Sequence, residues 1–156
     1  MPATPTPTRY TAVTYALMRF VVGTLFICHG AQKLFGAFGE PAATKPLMIA
    51  GGGIELLAGL LVAVGLMTRA AAFIASGEMA VAYFMAHAAK GFWPIANGGE
   101  KAVLYCFVFL FISAYGGGLY SLDTVVRRAS SLANADDAAA EAARVGRHVT
   151  ATGPRV

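Results

Sequence analysis

The hydrophobic pattern of this chain consists of four long apolar segments separated by shorter polar ones. The second segment, from Leu47 to Met67, contains a single charged side chain, Glu55. As a helix with a rise of about 1.5 Å per residue, this segment is roughly 31 Å long, which matches the hydrocarbon thickness of a bilayer. A buried helix of a soluble core is disfavoured, because three more segments of the same kind occur.

These segments predict an all-α integral membrane protein, a four-transmembrane-helix up-down bundle. Residues 1–12, rich in Pro and Thr, are expected to form a disordered arm, and residues 123–156 a weakly ordered polar tail with at most a short surface helix over 130–144. The transmembrane domain between them, residues 13–122, contains predicted spans at 13–35, 47–67, 70–89 and 101–117.

Composition and charge agree with this fold class. The chain is 57% hydrophobic and only 13% charged, whereas globular proteins carry about 25% charged residues. The net charge of +4 comes without a basic cluster, so nucleic acid is not an expected partner and lipid is. The first apolar segment is too long for a secretory signal peptide and is interpreted as an uncleaved span.

Positive charges are slightly more numerous on the side of the two termini, which places both termini in the cytoplasm. The residues on that side are Arg9, Arg19, Arg69, Arg127 and Arg128, and those on the other side are Lys33, Lys45, Lys90 and Lys101. Arg19 lies inside the first span, near its start, and its side chain is expected to extend to the lipid headgroups.

Most ionisable residues of the predicted spans fall in the outer half of the bundle. A carboxyl group in a span costs about 2.5–3.5 kcal/mol, so Glu55 is expected to face protein or a water-filled cavity. Gly51 and Gly59, four residues to either side of Glu55, are expected to let a neighbouring helix approach closely. The predicted polar site consists of His29, Gln32, Lys33, Glu55, Glu78 and Glu100.

This group of residues has two interpretations. It forms either a site that binds a ligand or moves protons, or an ion-paired core that fixes helix register. Lys33 has Glu55 or Glu100 as a candidate partner, and His29 has Glu78 or Glu55.

Cys28 and Cys106 are the second candidate pair. They lie at similar depths in the first and fourth spans, so they form either a thiol pair or inert packing, and the second is more usual for buried cysteine. The spacing of Cys and His does not indicate a metal site. A haem site on His29 and His87 is disfavoured, because nothing places them in one cavity.

Several motifs resemble the DoxX family of small bacterial membrane proteins. In chain order they are His29–Gly36 (HGAQKLFG), Gly53–Glu55 with Gly59, Gly65–Arg69 (GLMTR), Gly98–Glu100 (GGE) and Gly116–Asp123 (GGGLYSLD). The resemblance covers residues 19–123 and implies a four-span protein of the bacterial inner membrane. It also carries over His29, Gln32, Lys33, Glu55, Arg69 and Glu100 as family motif residues, without an established catalytic role.

The resemblance implies a subunit of a membrane redox assembly, since founding members resemble a subunit of a thiosulfate:quinone oxidoreductase. The cofactor stays open, with a quinone as one candidate, and other membrane subunits or further copies of the chain are the expected partners. Whether this chain is itself an enzyme stays open. A non-catalytic scaffold subunit is the first alternative. A small-solute carrier is the second, for which only the Gly51–Gly53 run gives a hint of a broken helix.

Overall fold

The computed structural model describes residues 8–151, with side chains as far as Ala138, and this part of the chain is helical and contains no strand. The chain divides after Asp123 into two compact units. The first unit contains α1 to α5, and nearly all of α6 belongs to the second. The helices are α1 Arg9–Phe35, α2 Pro46–Val64, α3 Thr68–Ala82, α4 Pro94–Asn97, α5 Glu100–Tyr115 and α6 Leu122–Ala151.

Helix α1 begins and ends at residues suited to those positions. The Thr8 hydroxyl accepts a hydrogen bond from the Thr11 amide at 3.2 Å and so caps the first turn. Gly36 then adopts a left-handed conformation with φ of 66°, which stops the helix. The start at Arg9 lies inside the range 1–12 expected to be an arm, and residues 1–7 lie outside the described part.

Helices α1 and α2 are antiparallel and touch backbone to backbone through glycines. A Cβ added to Gly59 would lie 2.8 Å from the Gly23 carbonyl oxygen, and one added to Gly30 would lie 2.7 Å from the Gly52 carbonyl oxygen. Only glycine permits this approach. Gly59 lies in a close helix contact as expected, whereas Gly51 faces two side-chain ends, the Glu78 carboxyl group of α3 and the Lys33 amine of α1.

The other long helices of the first unit are also antiparallel to their neighbours. Helix α3 follows α2 after a short turn in which Gly65 and Met67 are left-handed, with φ of 75° and 47°. Between α3 and α5, the Ser76 hydroxyl donates to the Cys106 carbonyl oxygen at 2.8 Å. Between α1 and α5, the Phe26 ring lies 4.6 Å from the Phe109 ring, centroid to centroid.

The helix bounds differ from the predicted spans at several ends. Helix α3 continues past Ala82 as a π-helical turn, Tyr83–His87, and a 3-10 turn, Ala88–Lys90. Helix α5 ends at Tyr115, because Gly116 has a φ of 89° that an ordinary side chain disfavours. Helix α6 is much longer than the short helix expected over 130–144, in keeping with its many alanines, the strongest helix formers.

Asp123 caps the start of α3 from a distant part of the chain. One carboxylate oxygen accepts from the Met67 amide at 2.7 Å, and the other accepts from the Thr68 amide at 3.0 Å and the Thr68 hydroxyl at 2.7 Å. These amides have no partner inside the helix, so the carboxylate takes the place of an N-cap side chain.

We expect Asp123→Ala to lower the free energy of unfolding by about 1–2 kcal/mol, because it leaves these donors without their acceptor. The measurement is thermal unfolding of the detergent-solubilised protein. Glu40→Ala, at an exposed carboxylate, is the control and should have no effect. An equal loss of stability in both variants would contradict the capping role.

The first unit encloses several polar side chains within its apolar core and exposes many large apolar ones. Arg19, Glu55, Thr68, Ser76 and Asn97 are buried. Helices α1 and α2 are each long and apolar enough to cross a membrane. Large apolar side chains are exposed on all four long helices of the unit, among them Leu17, Phe20, Leu25, Leu57, Leu60, Phe73, Ile74, Leu104, Phe107 and Phe111. Water is a poor solvent for such a surface, and lipid is a good one.

Candidate functional site

A buried ion pair between α1 and α2 forms the centre of the candidate site. The Lys33 Nζ atom lies 2.7 Å from Oε1 of Glu55. The Glu55 side chain is only 3% exposed, and that of Lys33 is 24% exposed. Lys33 lies in the last turns of α1 and Glu55 near the middle of α2, and the antiparallel packing of the two helices brings them to the same level.

A third charged side chain reaches this pair from α3. Oε1 of Glu78 lies 3.3 Å from the point that a Cβ on Gly51 would occupy, and the Lys33 Nζ atom lies 3.8 Å from the same point. The missing side chain at Gly51 therefore leaves the space into which both groups project. Lys33, Glu55 and Glu78, from three different helices, share one small polar volume.

Two oxygens of this group are buried and lack a hydrogen-bond partner within the described residues, Oε2 of Glu55 and Oε2 of Glu78. Unsatisfied buried polar atoms are rare and costly, so they mark a place where a proton, a water molecule or a ligand belongs. Two carboxyl groups also exceed the single positive charge of Lys33. The group can therefore accept hydrogen bonds or take up a proton without further rearrangement.

The remaining residues of the predicted site lie elsewhere. His29 packs edge-on against the Tyr105 ring, with centroids 5.9 Å apart, and no carboxylate of the described chain lies within ion-pair distance of it. Glu100 is exposed at the first turn of α5, and Gln32 is half-buried. The suggested pairing of His29 with Glu55 or Glu78 was therefore wrong, and of the two partners suggested for Lys33 the structure selects Glu55.

The two cysteines are free thiols. The Cys106 sulfur lies 3.6 Å from the Ser76 hydroxyl, with which it shares a weak hydrogen bond. His87, the other member of the disfavoured haem pair, contacts the Asn97 carbonyl oxygen through Nδ1 at 3.3 Å.

Arg19 is the residue that the sequence interpretation placed wrongly. It is 3% exposed rather than extended to the headgroups. Its guanidinium donates to the carbonyl oxygens of Val62, of Ala63 at 2.9 Å and of Tyr120 at 2.8 Å. Carbonyls in the last turn of a helix lack their usual amide partners four residues on, and although Val62 accepts from the Gly65 amide at 3.2 Å, each carbonyl oxygen has a second lone pair that can receive a charged donor.

The buried position of Arg19 also explains two motifs whose role was not recognised. A Cβ on Gly65, in GLMTR, would lie 2.8 Å from an Arg19 nitrogen and 2.6 Å from Cβ of Ser121, in GGGLYSLD. Both motifs thus meet around one guanidinium. The sequence signal was present as glycines at two helix ends, but their spacing in the chain does not reveal that the ends meet.

A third polar network holds the loop before α5 against α3. The Asn97 side-chain amide donates to the Tyr83 hydroxyl at 3.3 Å and to the Gly91 carbonyl oxygen at 2.6 Å, and its oxygen accepts from the Gly99 amide at 2.8 Å. Asn97 is buried and every one of these groups is satisfied, which is the pattern of a structural network rather than of a site.

The fold and the polar interior define the class: an all-helical protein of membrane-like character, with ionisable groups enclosed among apolar helices. The DoxX family model matches residues 14–88. An uncharacterized protein of Haemophilus influenzae is 43% identical over 123 residues, which cover 74% of this chain and 92% of the relative. The chain therefore belongs to the DoxX family.

A second uncharacterized protein of Haemophilus influenzae is 30% identical over 76 residues, 49% of this chain and 50% of that relative. No solved structure matches the chain significantly. The matched family region contains Lys33, Glu55 and Glu78, so the three-residue site lies within the part that defines the family.

Proposed function

We propose that the first unit is an up-down bundle of four transmembrane helices, α1, α2, α3 with its π turn, and α5, in the bacterial inner membrane with both termini in the cytoplasm. The antiparallel contacts between neighbouring helices and the apolar outer surface support this arrangement. Helix α5 has 16 residues and is roughly 24 Å long, so it spans the hydrocarbon only where the bilayer thins locally.

We further propose that Lys33, Glu55 and Glu78 bind the polar head of a membrane-soluble quinone, and that the protein is a subunit of a redox assembly. The observation that carries this proposal is the pair of buried, unpartnered oxygens, Oε2 of Glu55 and of Glu78, beside one lysine. Lys33 can donate to a carbonyl oxygen of the quinone, and the two carboxylate oxygens can accept from the hydroxyl groups of the quinol. Ionisable residues inside a membrane domain most often serve a ligand or a proton path.

The three side chains have complementary roles in such a site. Lys33 has three N–H groups and uses one on Glu55, so it has donors left for a quinone carbonyl oxygen. Reduction of a quinone to a quinol requires two electrons and two protons. A redox partner subunit supplies the two electrons, and Glu78 passes the two protons one at a time to the reduced oxygens and takes up each of them from water. Glu55 holds Lys33 in place and balances its charge.

The test is the quinone content of the protein purified in a mild detergent, measured by solvent extraction and chromatography. We expect the unmodified protein to retain close to one quinone molecule per chain. In Lys33→Gln the quinone occupancy should fall by at least about tenfold, because the hydrogen bond from Lys33 to the quinone carbonyl is lost. Lys45→Gln, at an exposed lysine outside the site, is the matched control and should retain quinone.

Glu78→Gln separates binding from proton transfer. The amide keeps the size of the side chain but cannot donate a proton as a carboxyl group does. We therefore expect quinone to remain bound, while the rate of quinone reduction, measured in membranes that contain the variant, falls. The absence of quinone from the unmodified protein would overturn the proposal, and so would an undiminished reduction rate in Glu78→Gln.

A non-catalytic scaffold subunit is the second candidate, and one observation favours it. Gly53 and Gly77 have nothing within 4 Å of the position of a Cβ, so small residues on α2 and α3 leave room for a further helix. A stoichiometric membrane partner that co-purifies without any quinone would support this candidate over the first.

A further inference from the structure

The segment that leads into α5, residues 91–99, carries three large apolar side chains on its surface. Phe92, Trp93 and Ile95 are 72%, 70% and 80% exposed. The Phe92 and Trp93 rings meet edge to face, with centroids 5.6 Å apart, so two of the three form one continuous patch. An apolar patch of this kind marks a surface that another apolar phase covers.

The backbone of the same segment is satisfied within the protein. The carbonyl oxygens of four consecutive residues, 91–94, all accept hydrogen bonds. The buried side chains of Asn97 and Tyr83 donate the first two, to Gly91 at 2.6 Å and to Phe92. Main-chain amides further along the segment donate the other two, at 3.0 to 3.1 Å. Non-helical backbone in a layer with little water requires such internal partners.

The depth of the segment follows from the helix ends on either side of it. Helix α5 begins at Glu100 and is roughly 24 Å long, so in the proposed bundle one edge of the hydrocarbon lies close to its first turn. The 3-10 turn Ala88–Lys90, which extends α3, ends at an exposed lysine. The residues between these two ends therefore lie in the headgroup layer, where tryptophan is enriched in membrane proteins.

We propose that residues 91–99 form an interfacial anchor, which inserts Phe92, Trp93 and Ile95 into the lipid leaflet on that side of the membrane. The exposed side chains of Lys90 and Lys101 flank the anchor, and their length lets them reach lipid phosphates while the apolar side chains contact acyl chains. The side chains that bond its carbonyls replace the water that this backbone would otherwise bind. This inference rests on the proposed transmembrane arrangement but not on quinone binding.

The test uses Trp93, the single tryptophan of the chain, whose fluorescence reports on the anchor alone. The full chain is reconstituted in phosphatidylcholine vesicles whose acyl chains are unmodified, brominated near the carboxyl end or brominated near the methyl end. We expect bromine near the carboxyl end to lower the emission at least about twofold, because tryptophan anchors lie at that depth. Bromine near the methyl end should lower it less, and acrylamide in the water should have little effect.

Emission that neither brominated lipid lowers would overturn the proposal. Quenching by acrylamide would then show a loop in water, and protection from acrylamide would show a protein surface over the anchor, such as a second copy of the chain.

Glu40→Trp in a Trp93→Phe background is the matched control, because it moves the single tryptophan to an exposed carboxylate position in the loop between α1 and α2. Acrylamide should quench this tryptophan, and brominated lipid should leave it unchanged. Equal quenching by brominated lipid at both positions would contradict an anchor confined to residues 91–99.

Asn97→Leu tests the part of the network that satisfies the backbone. It removes the donor to the Gly91 carbonyl and the acceptor of the Gly99 amide, so the segment should move toward water. We expect quenching of Trp93 by brominated lipid to fall at least about twofold and quenching by acrylamide to rise. Unchanged quenching in a variant with unchanged helical circular dichroism would overturn this role of Asn97.

Phe107→Trp in the Trp93→Phe background separates the anchor from the proposed transmembrane arrangement. Phe107 is 65% exposed near the middle of α5, so bromine near the methyl end should quench this tryptophan most. Quenching here with none at Trp93 would overturn the anchor and leave the bundle standing. Absence of quenching here would overturn the bundle itself.

Discussion

Replacement of Lys33 by methionine should destabilise the protein by about 3–5 kcal/mol, because it removes the partner of a buried carboxylate. Glu55 is 2% exposed, so it does not reach water without movement of α2. Oε2 of Glu55 already lacks a hydrogen-bond partner within the described residues, so removal of Lys33 leaves neither carboxylate oxygen with a partner among them. Unfolding in mixed detergent micelles, followed by helical circular dichroism, measures the loss.

A double-mutant cycle attributes this effect to the pair. Lys33→Met combined with Glu55→Gln should be more stable than Lys33→Met alone, because the isolated charge is gone. Lys45→Met, at an exposed lysine in the loop before α2, should match the unmodified protein. Additive losses in the double variant would show that Lys33 and Glu55 act independently, contrary to the 2.7 Å contact.

Gly30→Ala should cost at least about 3 kcal/mol and disrupt the folded state in detergent, since one methyl group must separate two helix backbones. The added Cβ would lie 2.5 Å from the Leu56 amide nitrogen and 2.7 Å from the Gly52 carbonyl oxygen. Both contacts are with backbone, so no side-chain rotation relieves them. The elution profile on size exclusion and the unfolding midpoint report the change.

Gly53→Ala is the matched control for this helix contact. Nothing lies within 4 Å of its added Cβ, and alanine favours the helix by about 1 kcal/mol over glycine. We therefore expect this variant to be as stable as the unmodified protein or more so. A loss in Gly53→Ala as large as in Gly30→Ala would show that α2 requires glycine for another reason, such as the approach of a partner.

The helical class and the positions of the long helices follow from the sequence, because long apolar segments bounded by Gly and Pro can adopt few structures other than helices. Helix ends were harder to predict. The start of α3 depends on Asp123, which caps it from far along the chain, and the π turn after Ala82 has no local signal. Such features depend on tertiary contacts that periodicity does not contain.

The candidate site was predictable in composition and only partly in geometry. The cost of a carboxyl group in an apolar segment correctly indicates burial of Glu55, and depth alone brings Lys33 within reach of it. Rotation of each helix about its axis is not fixed by depth, which is why His29 faces Tyr105 instead of a carboxylate. Arg19 was misplaced because its acceptors are backbone carbonyls, which every residue possesses.

The connection around Arg19 has a consequence for the order of events during biosynthesis. Tyr120 supplies one acceptor for Arg19, and Asp123 the cap for α3, yet both leave the ribosome only after every long helix of the first unit has been made. The Arg19 guanidinium in α1 therefore lacks one of its acceptors until the rest of the unit has been translated. A chain truncated before Gly116 should remain a target for quality-control proteases, whereas one that ends after Asp123 should escape them.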